Sequence, residues 1–240
     1  MQKNNIKSNK FKNIWIIIPA HNEETNIASV IDQCKDYSKN IVVVDDGSKD
    51  KTSIIAKSKG VIVLKHIINL GKGATLKTGC DYVYKIIRNT KNGLQNLKDS
   101  AIVLIDADGQ HDPKSIPQFL EKLKHKDIIF GIRKYNRNMP KILKIGNNLI
   151  NYIIKIIFHM KVKDSQCGYR VFKANIYKKI RWVAHDYSME SEMIANVSKY
   201  KLHYGQIQIP TTYQDNYKGT TIIDGVKIVY YILKWRIAKW

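Results

Sequence analysis

The chain has 240 residues, 44% of them hydrophobic, and 41 lysines and arginines against 20 acidic residues give a formal net charge of +21. That length suits one large domain with a sizeable core, and the charge points to an anionic partner such as nucleic acid, a membrane surface or a phosphorylated substrate. Cys34, Cys80 and Cys167 are odd in number and lack metal-ligand spacing, which argues against a disulfide framework or zinc site and for reduced cytoplasmic thiols; Met1–Lys12 has no apolar core of a signal peptide, and no run reaches the roughly 18 apolar residues that span a bilayer.

Strand and helix patterns alternate through the first half. Ile14–Ile18 is a continuous apolar run, read as a buried strand. Helical spacing follows over Glu24–Tyr37, a second strand over Asn40–Val44, a helix over Asp50–Ser58 and a third strand over Val61–Leu64. Lys72–Ile87 predicts a longer helix, Ala101–Ile105 a fourth strand, Pro113–Lys124 a helix and Asp127–Phe130 a further strand. This order predicts an α/β fold with a mostly parallel sheet between two helical layers. Ligands bind such sheets beyond the carboxyl ends of the strands. Three polar clusters fall there: Pro19-Ala20-His21-Asn22-Glu23, Asp45-Asp46-Gly47-Ser48 and Asp106-Ala107-Asp108-Gly109-Gln110-His111.

The second half is basic. Lys134–Arg181 holds twelve lysines and arginines and one acid, Asp164. Helices are predicted over Ile145–Met160, Glu190–Lys199 and Ile222–Trp240, with a short strand over Gln206–Pro210. The lysines and the two tryptophans of the last helix suit a membrane interface; packing onto the protein's own core is the competing expectation.

Asp106 and Asp108 close an apolar strand. Bare carboxylates are costly there without a partner, and a hard divalent cation held by oxygen ligands supplies one. On its own the pair equally suits a strand-to-helix exit, since Asp112-Pro113 opens a helix unaided.

Taken together, the motifs resemble the nucleotide-sugar glycosyltransferases of family 2, and within them the polyprenyl-phosphate (dolichyl-phosphate) mannose and glucose synthases. The resemblance rests on the three clusters above, Asn69-Leu70-Gly71-Lys72-Gly73, Gly131-Ile132-Arg133, Asp164–Arg170, Glu190-Ser191-Glu192 and Ile209-Pro210-Thr211, in order along nearly the whole chain. It implies a GT-A fold with C-terminal amphipathic helices: a basic tail (1–12), one domain (13–221) with a nucleotide-sugar half (13–132) and an acceptor half (133–221), and a final helix (222–240). It places Pro19, Ala20, Asn22, Glu23, Asp45, Asp46, Lys72, Asp106, Ala107 and Asp108 at the nucleotide sugar. It gives Asp106, Asp108 and Gln110 to a Mg²⁺ or Mn²⁺ ion, which would stabilise the leaving nucleoside diphosphate. His111 stays open between a ligand and a hydrogen-bonded loop residue.

Arg133, Lys144 and Arg170 are the cations expected at an acceptor phosphate, and Asp108, Arg133 and Asp164 the catalytic set. Asp164 either orients a cation or sits near the reacting centre. The implied reaction is inverting, metal-dependent transfer of a hexose from a UDP- or GDP-sugar to polyprenyl phosphate, by a peripheral protein at the cytoplasmic membrane face. A phosphate acceptor is already anionic and needs no general base. The alternative, a hydroxyl acceptor, would need Glu190 or Glu192 as base. Family members often carry an arginine in the loop after the last strand, for the donor diphosphate; this chain has none there, so either Lys218 takes that role or the role is absent. A nucleic-acid-binding protein is the remote reading, disfavoured because no RRM, KH or zinc-finger pattern is present. Neither GxGxxG after the first strand nor GxxxxGK[ST] occurs, which argues against a dinucleotide fold and a P-loop.

Overall fold

The computed structural model describes residues 11–134, 141–211 and 222–237. In chain order the elements are β1 (Asn13–Ala20), α1 (Ile27–Lys35), β2 (Asn40–Asp46), α2 (Thr52–Ser58), β3 (Ile62–His66), α3 (Lys72–Arg88), α4 (Gly93–Lys98), β4 (Ser100–Leu104), α5 (Ile116–Leu123), β5 (Ile128–Arg133), α6 (Lys141–Phe158), β6 (Arg170–Lys173), α7 (Tyr177–Ile180), α8 (Met189–Lys199), β7 (Tyr204–Ile209) and α9 (Ile222–Ile237). The strands form one seven-stranded sheet, ordered β3-β2-β1-β4-β6-β5-β7. All neighbours are parallel except β6, which runs antiparallel to both β4 and β5.

Alternation along each strand explains the three layers. Ile17, Val42, Val44, Ile102, Leu104, Phe130 and Phe172 join the core on one face, beneath α3, α6 and α8. Their neighbours Ile16, Ile18, Val43, Val103, Ile105, Ile129 and Val171 join the opposite core, with α1 and α5. Every residue of β4 is buried, as expected of a strand covered on both faces. α5 buries Ile116, Phe119, Leu120 and Leu123, an i, i+3, i+4, i+7 stripe. Cys34, Cys80 and Cys167 are free and buried.

Several elements differ from the sequence expectation, which has no counterpart of the short helices α4 and α7. β6 has only four residues, beginning on an arginine, and was not predicted; it comes between β4 and β5, which a simple alternating order would make neighbours. α6 begins four residues before the predicted Ile145, at Lys141. α6 and α9 both pack against α8 and against one another. They leave Ile145, Leu149, Tyr152 and Ile156 of α6, and Val226, Tyr230 and Leu233 of α9, exposed. No helix among the described residues is long and apolar enough to cross a membrane.

Candidate active site

The carboxyl ends of β1, β2 and β4 open into a cleft of about 410 Å³. Pro19 and Ala20 line it from the end of β1, Glu23 from the loop that follows, and Asp46 from the end of β2. Lys72 enters from the first turn of α3, and Asp106, Ala107, Asp108, Gln110 and His111 from the loop after β4. Arg133 closes it from the end of β5.

Asp46 is fixed by the backbone around it. Its carboxylate accepts from the N–H of Leu70 (3.0 Å) and of Gly71 (2.9 Å), and pairs with His66 Nδ1 at 2.7 Å. His66 also bonds Thr78 Oγ1 at 2.9 Å, tying β3 to α3. Asp45 and Asn22, both expected at the nucleotide, do not line the cleft. Asp45 is fully buried, accepts from Ser48 N–H (3.0 Å) and lies 3.7 Å from Lys65 Nζ. Asn22, at φ +53°, donates its N–H to Ser48 Oγ and accepts from Lys49 N–H, both at 2.9 Å. Both residues therefore clamp the loops after β1 and β2 to each other. The reason is steric: consecutive strand residues face opposite ways, so Asp45 and Asp46 cannot share a face.

The loop after β4 turns sharply at Gly109 (φ +74°), and Gln110 N–H donates to Asp108 Oδ1 at 3.0 Å. Both aspartates line the cleft. Burial, then the neighbouring Asp106 charge, pushes the Asp108 carboxyl up to about 6. Burial acts the same way on Asp106, but the charge and hydrogen bond of Lys72, with the His111 and Arg133 charges, together outweigh it and hold that carboxyl below its ordinary range. Lys72 Nζ lies 2.9 and 3.0 Å from the two Asp106 oxygens and 3.3 Å from Glu190 Oε1. His111 is buried, and burial lowers its imidazole pKa to about 4, so it is neutral at pH 7. Its Nδ1 has no hydrogen-bond partner and lies 3.7 Å from Asp106 Oδ2.

The motif glycines make these approaches feasible. A Cβ on Gly73 would collide with the Ala184 carbonyl, and one on Gly168 would lie 2.6 Å from Asp106 Oδ2 and 2.7 Å from Lys72 Nζ. The segment Val183–Ser188 is thereby laid against the start of α3. Trp182 Nε1 donates to the Gly73 carbonyl (2.7 Å), and Glu192 accepts from the N–H groups of Val183 (2.8 Å) and Ala184 (2.9 Å).

Of the expected acceptor cations whose side chains are described, Arg133 is the one at the cleft. Its Nε and Nη2 meet the Asp164 carboxylate at 2.8 and 2.9 Å, and its backbone N–H adds a third bond at 3.1 Å. Asp164 is buried and absent from the cleft wall, and its carboxylate holds Arg133 in place. Arg170 requires a correction. It is 1% exposed and donates to the carbonyls of Cys167 (3.1 Å), Glu190 (2.7 Å) and Ser165 (2.7 Å), with its guanidinium 5.1 Å from the centre of the Phe130 ring. It is a core strut beneath the cleft, placed there because β6 starts at Arg170 in mid-sheet. The side chain of Lys144, and all of Lys218, lie outside the described residues.

Residues 15–181 match the family described as Glycosyl transferase family 2. The chain belongs to that family. It is a glycosyltransferase with a GT-A fold. An uncharacterized protein of Methanocaldococcus jannaschii is 36% identical over 252 residues, spanning 99% of this chain and 98% of its own length. The UDP-N-acetylglucosamine–dolichyl-phosphate N-acetylglucosaminyltransferase of Methanococcus voltae is 32% identical, over 95% of this chain and 98% of its length. Among solved structures, glucosyl-3-phosphoglycerate synthase of Mycobacterium tuberculosis, in complex with Mn²⁺, UDP and phosphoglyceric acid, superposes with a TM-score of 0.68 at 16% identity; the match covers 94% of this chain and 78% of that one.

In this glycosyltransferase several cleft residues carry no sequence signal of their own. Asp186 and Tyr187 line the cleft from a loop that follows no strand, so the rule that ligands sit at strand ends passes over them. Gln166 and Gly168 lie inside a recognised motif, yet only the antiparallel return of β6 brings them opposite Asp106. Glu190 and Glu192 do not line the cleft.

Proposed function

We propose that the protein transfers a sugar, with inversion, from a UDP- or GDP-linked donor to polyprenyl phosphate. The observation that carries this reading is the pairing of Asp106 and Asp108 with Lys72 on one wall and the Asp164-anchored Arg133 on the other. The first wall suits a metal-bound diphosphate and the second an anionic acceptor. A guanidinium held on a carboxylate keeps a fixed orientation, which suits recognition of phosphate. The UDP sugar and dolichyl phosphate in the name of the Methanococcus voltae relative support the same pair of substrates.

The donor set fits Mg²⁺ or Mn²⁺. Asp106, Asp108 and Gln110 offer hard oxygen ligands, and the unpartnered Nδ1 of His111 faces the same carboxylate. No cluster of three or more His, Cys, Asp or Glu that could hold a metal is found among the described residues. Mg²⁺ is commonly held by one or two carboxylates and completed by substrate phosphates. Such an ion would neutralise charge developing on the leaving diphosphate. Lys72 adds a second positive charge, and Asp46 and Glu23 are placed to accept hydrogen bonds from the nucleoside.

A lipid-linked acceptor requires access to a membrane. The exposed apolar residues of α6 recur at i, i+4, i+7 and i+11, and those of α9 at i, i+4 and i+7. Lys155, Lys227, Lys234 and Arg236 are exposed on the same two helices. Each such cation near an anionic surface contributes about 1 kcal/mol, and the apolar stripes supply the burial that holds a helix in the interface. We place the protein at the cytoplasmic face of that membrane. The double substitution Leu149→Glu/Ile156→Glu is expected to abolish flotation with phosphatidylglycerol vesicles. Both sites are exposed, so its thermal midpoint should stay near that of the wild type.

The competing reading is a hydroxyl acceptor on a soluble compound. Glu190 sits behind Lys72 and Glu192 is spent on two backbone N–H groups, so a base would come from the cleft wall, where Asp186 is one candidate, its Oδ1 accepting from Ser188. Asp186→Asn is expected to retain transfer to within about tenfold; a loss of the 10²–10⁴-fold that a general base contributes would favour the hydroxyl acceptor. The direct test of the function is incubation with a panel of UDP- and GDP-sugars and a polyprenyl phosphate, read by mass spectrometry. A lipid-linked sugar from one donor is expected; none from any donor refutes the reading.

A further inference from the structure

Lys72 stands between two carboxylates of different standing. Asp106 reaches the cleft and holds the ammonium at 2.9 and 3.0 Å. Glu190 lies behind it with Oε1 3.3 Å from Nζ. Glu190 is 1% exposed, and neither of its oxygens accepts a hydrogen bond. A buried carboxylate without hydrogen bonds is costly, and the fold retains one within reach of a cation that is mainly engaged elsewhere.

A divalent cation on Asp106 and Asp108 would meet the Lys72 ammonium on the same Asp106 carboxylate. Two cations on one carboxylate repel strongly in a site of low dielectric. Gly168 leaves little room on the third side, since even a Cβ there would lie within 2.7 Å of Lys72 Nζ. The route open to the ammonium leads to Glu190, a short shift from where it already lies.

We propose that Glu190 is a positioning residue that receives the Lys72 ammonium when a divalent cation takes Asp106. Lys72 is then a displaceable occupant of the cation site. Without the ion it neutralises Asp106; with the ion it is held by Glu190, still at the head of α3 and beside the donor phosphates. This rests on the reading of Asp106 and Asp108 as cation ligands.

The test is Mn²⁺ binding to the purified full-length protein without nucleotide, read from the loss of the free-ion electron paramagnetic resonance signal. Lys72→Met removes the competitor and is expected to bind Mn²⁺ about tenfold more tightly than wild type, within the usual range of coupling between two sites. Glu190→Gln removes the receiving carboxylate and is expected to bind about tenfold more weakly, whereas Glu190→Asp stays within about threefold of wild type. In a Lys72→Met background, Glu190→Gln should change affinity by less than about threefold, because its effect runs through the lysine. Circular dichroism verifies each fold, and Glu190→Leu replaces Glu190→Gln if the latter does not fold. Equal binding by wild type and Lys72→Met refutes the displacement. An equal loss from Glu190→Gln with and without Lys72 reduces Glu190 to a general field effect and refutes its role. Failure of every variant to bind Mn²⁺ refutes the cation site itself and the proposal with it.

Discussion

Asp108→Ala is expected to lower the rate of sugar transfer at least about a thousandfold, the scale on which removing one major electrostatic stabiliser acts. Asp108 is the more exposed to this loss of the two loop aspartates. Without an ion Asp106 is paired with Lys72, while Asp108 is pushed up to about 6 by burial and by Asp106. A cation bridging the pair relieves that penalty, so removing Asp108 removes both a ligand and the main reason for a cation to be drawn there. Steady-state transfer with and without excess chelator checks the claim. Wild type in chelator should fall to the level of the variant, and the variant should be insensitive to chelator. Full activity of either would remove the metal from the mechanism. The thermal midpoint of the variant should not fall, because burial and the Asp106 charge disfavour the ionised Asp108 carboxyl in the fold.

Arg170→Met is expected to give the largest loss of stability of any single substitution near the site, on the order of 3–6 kcal/mol. The guanidinium satisfies three carbonyls, those of Cys167, Glu190 and Ser165. Each buried acceptor left unpaired costs about 1–3 kcal/mol. Methionine approximates the volume but offers no donors, so relaxation cannot recover the bonds. Domains of ordinary stability have only about 5–15 kcal/mol in total. Urea denaturation should therefore show a large fall in midpoint, and the soluble yield should fall with it. Arg133→Met makes the contrast. Arg133 lies at the cleft, so its loss should act first on transfer to the acceptor. Were Arg170 an acceptor-binding residue instead, its variant would keep its midpoint and lose acceptor affinity.

These two residues also show where the sequence was legible. The strand ends carrying Asp46, Asp106 and Arg133 were readable because long apolar runs mark buried strands and their polar termini mark the ligand edge. Asp45 and Asn22 share those termini but face the other way, and a one-residue alternation is not resolved by a motif match. Arg170 was misplaced because β6 is four residues long and starts on a charge. A period-2 signal needs about four to eight residues, and nothing local marks a guanidinium as buried. The same strand hid the mixed character of the sheet. Asp164 was half legible: one acid in a basic stretch pointed to an ion pair, but only the fold identified Arg133 as its partner. Asp186 and Tyr187 were not legible, since their loop lies in the cleft only because Glu192 and Trp182 pin its neighbourhood to α3.

The antiparallel β6 has one more consequence. Strands in a sheet are spaced about 4.8 Å apart, so inserting β6 sets the end of β5 two spacings, about 10 Å, from the end of β4. Were the two parallel strands adjacent, Arg133 would crowd directly against Asp106. The inserted strand acts as a ruler, setting the wall that carries Asp106 about two strand spacings from the strand end that carries Arg133. The separation of the two walls of the cleft is thus written into sheet topology, and side-chain substitutions at the rim leave it unaltered.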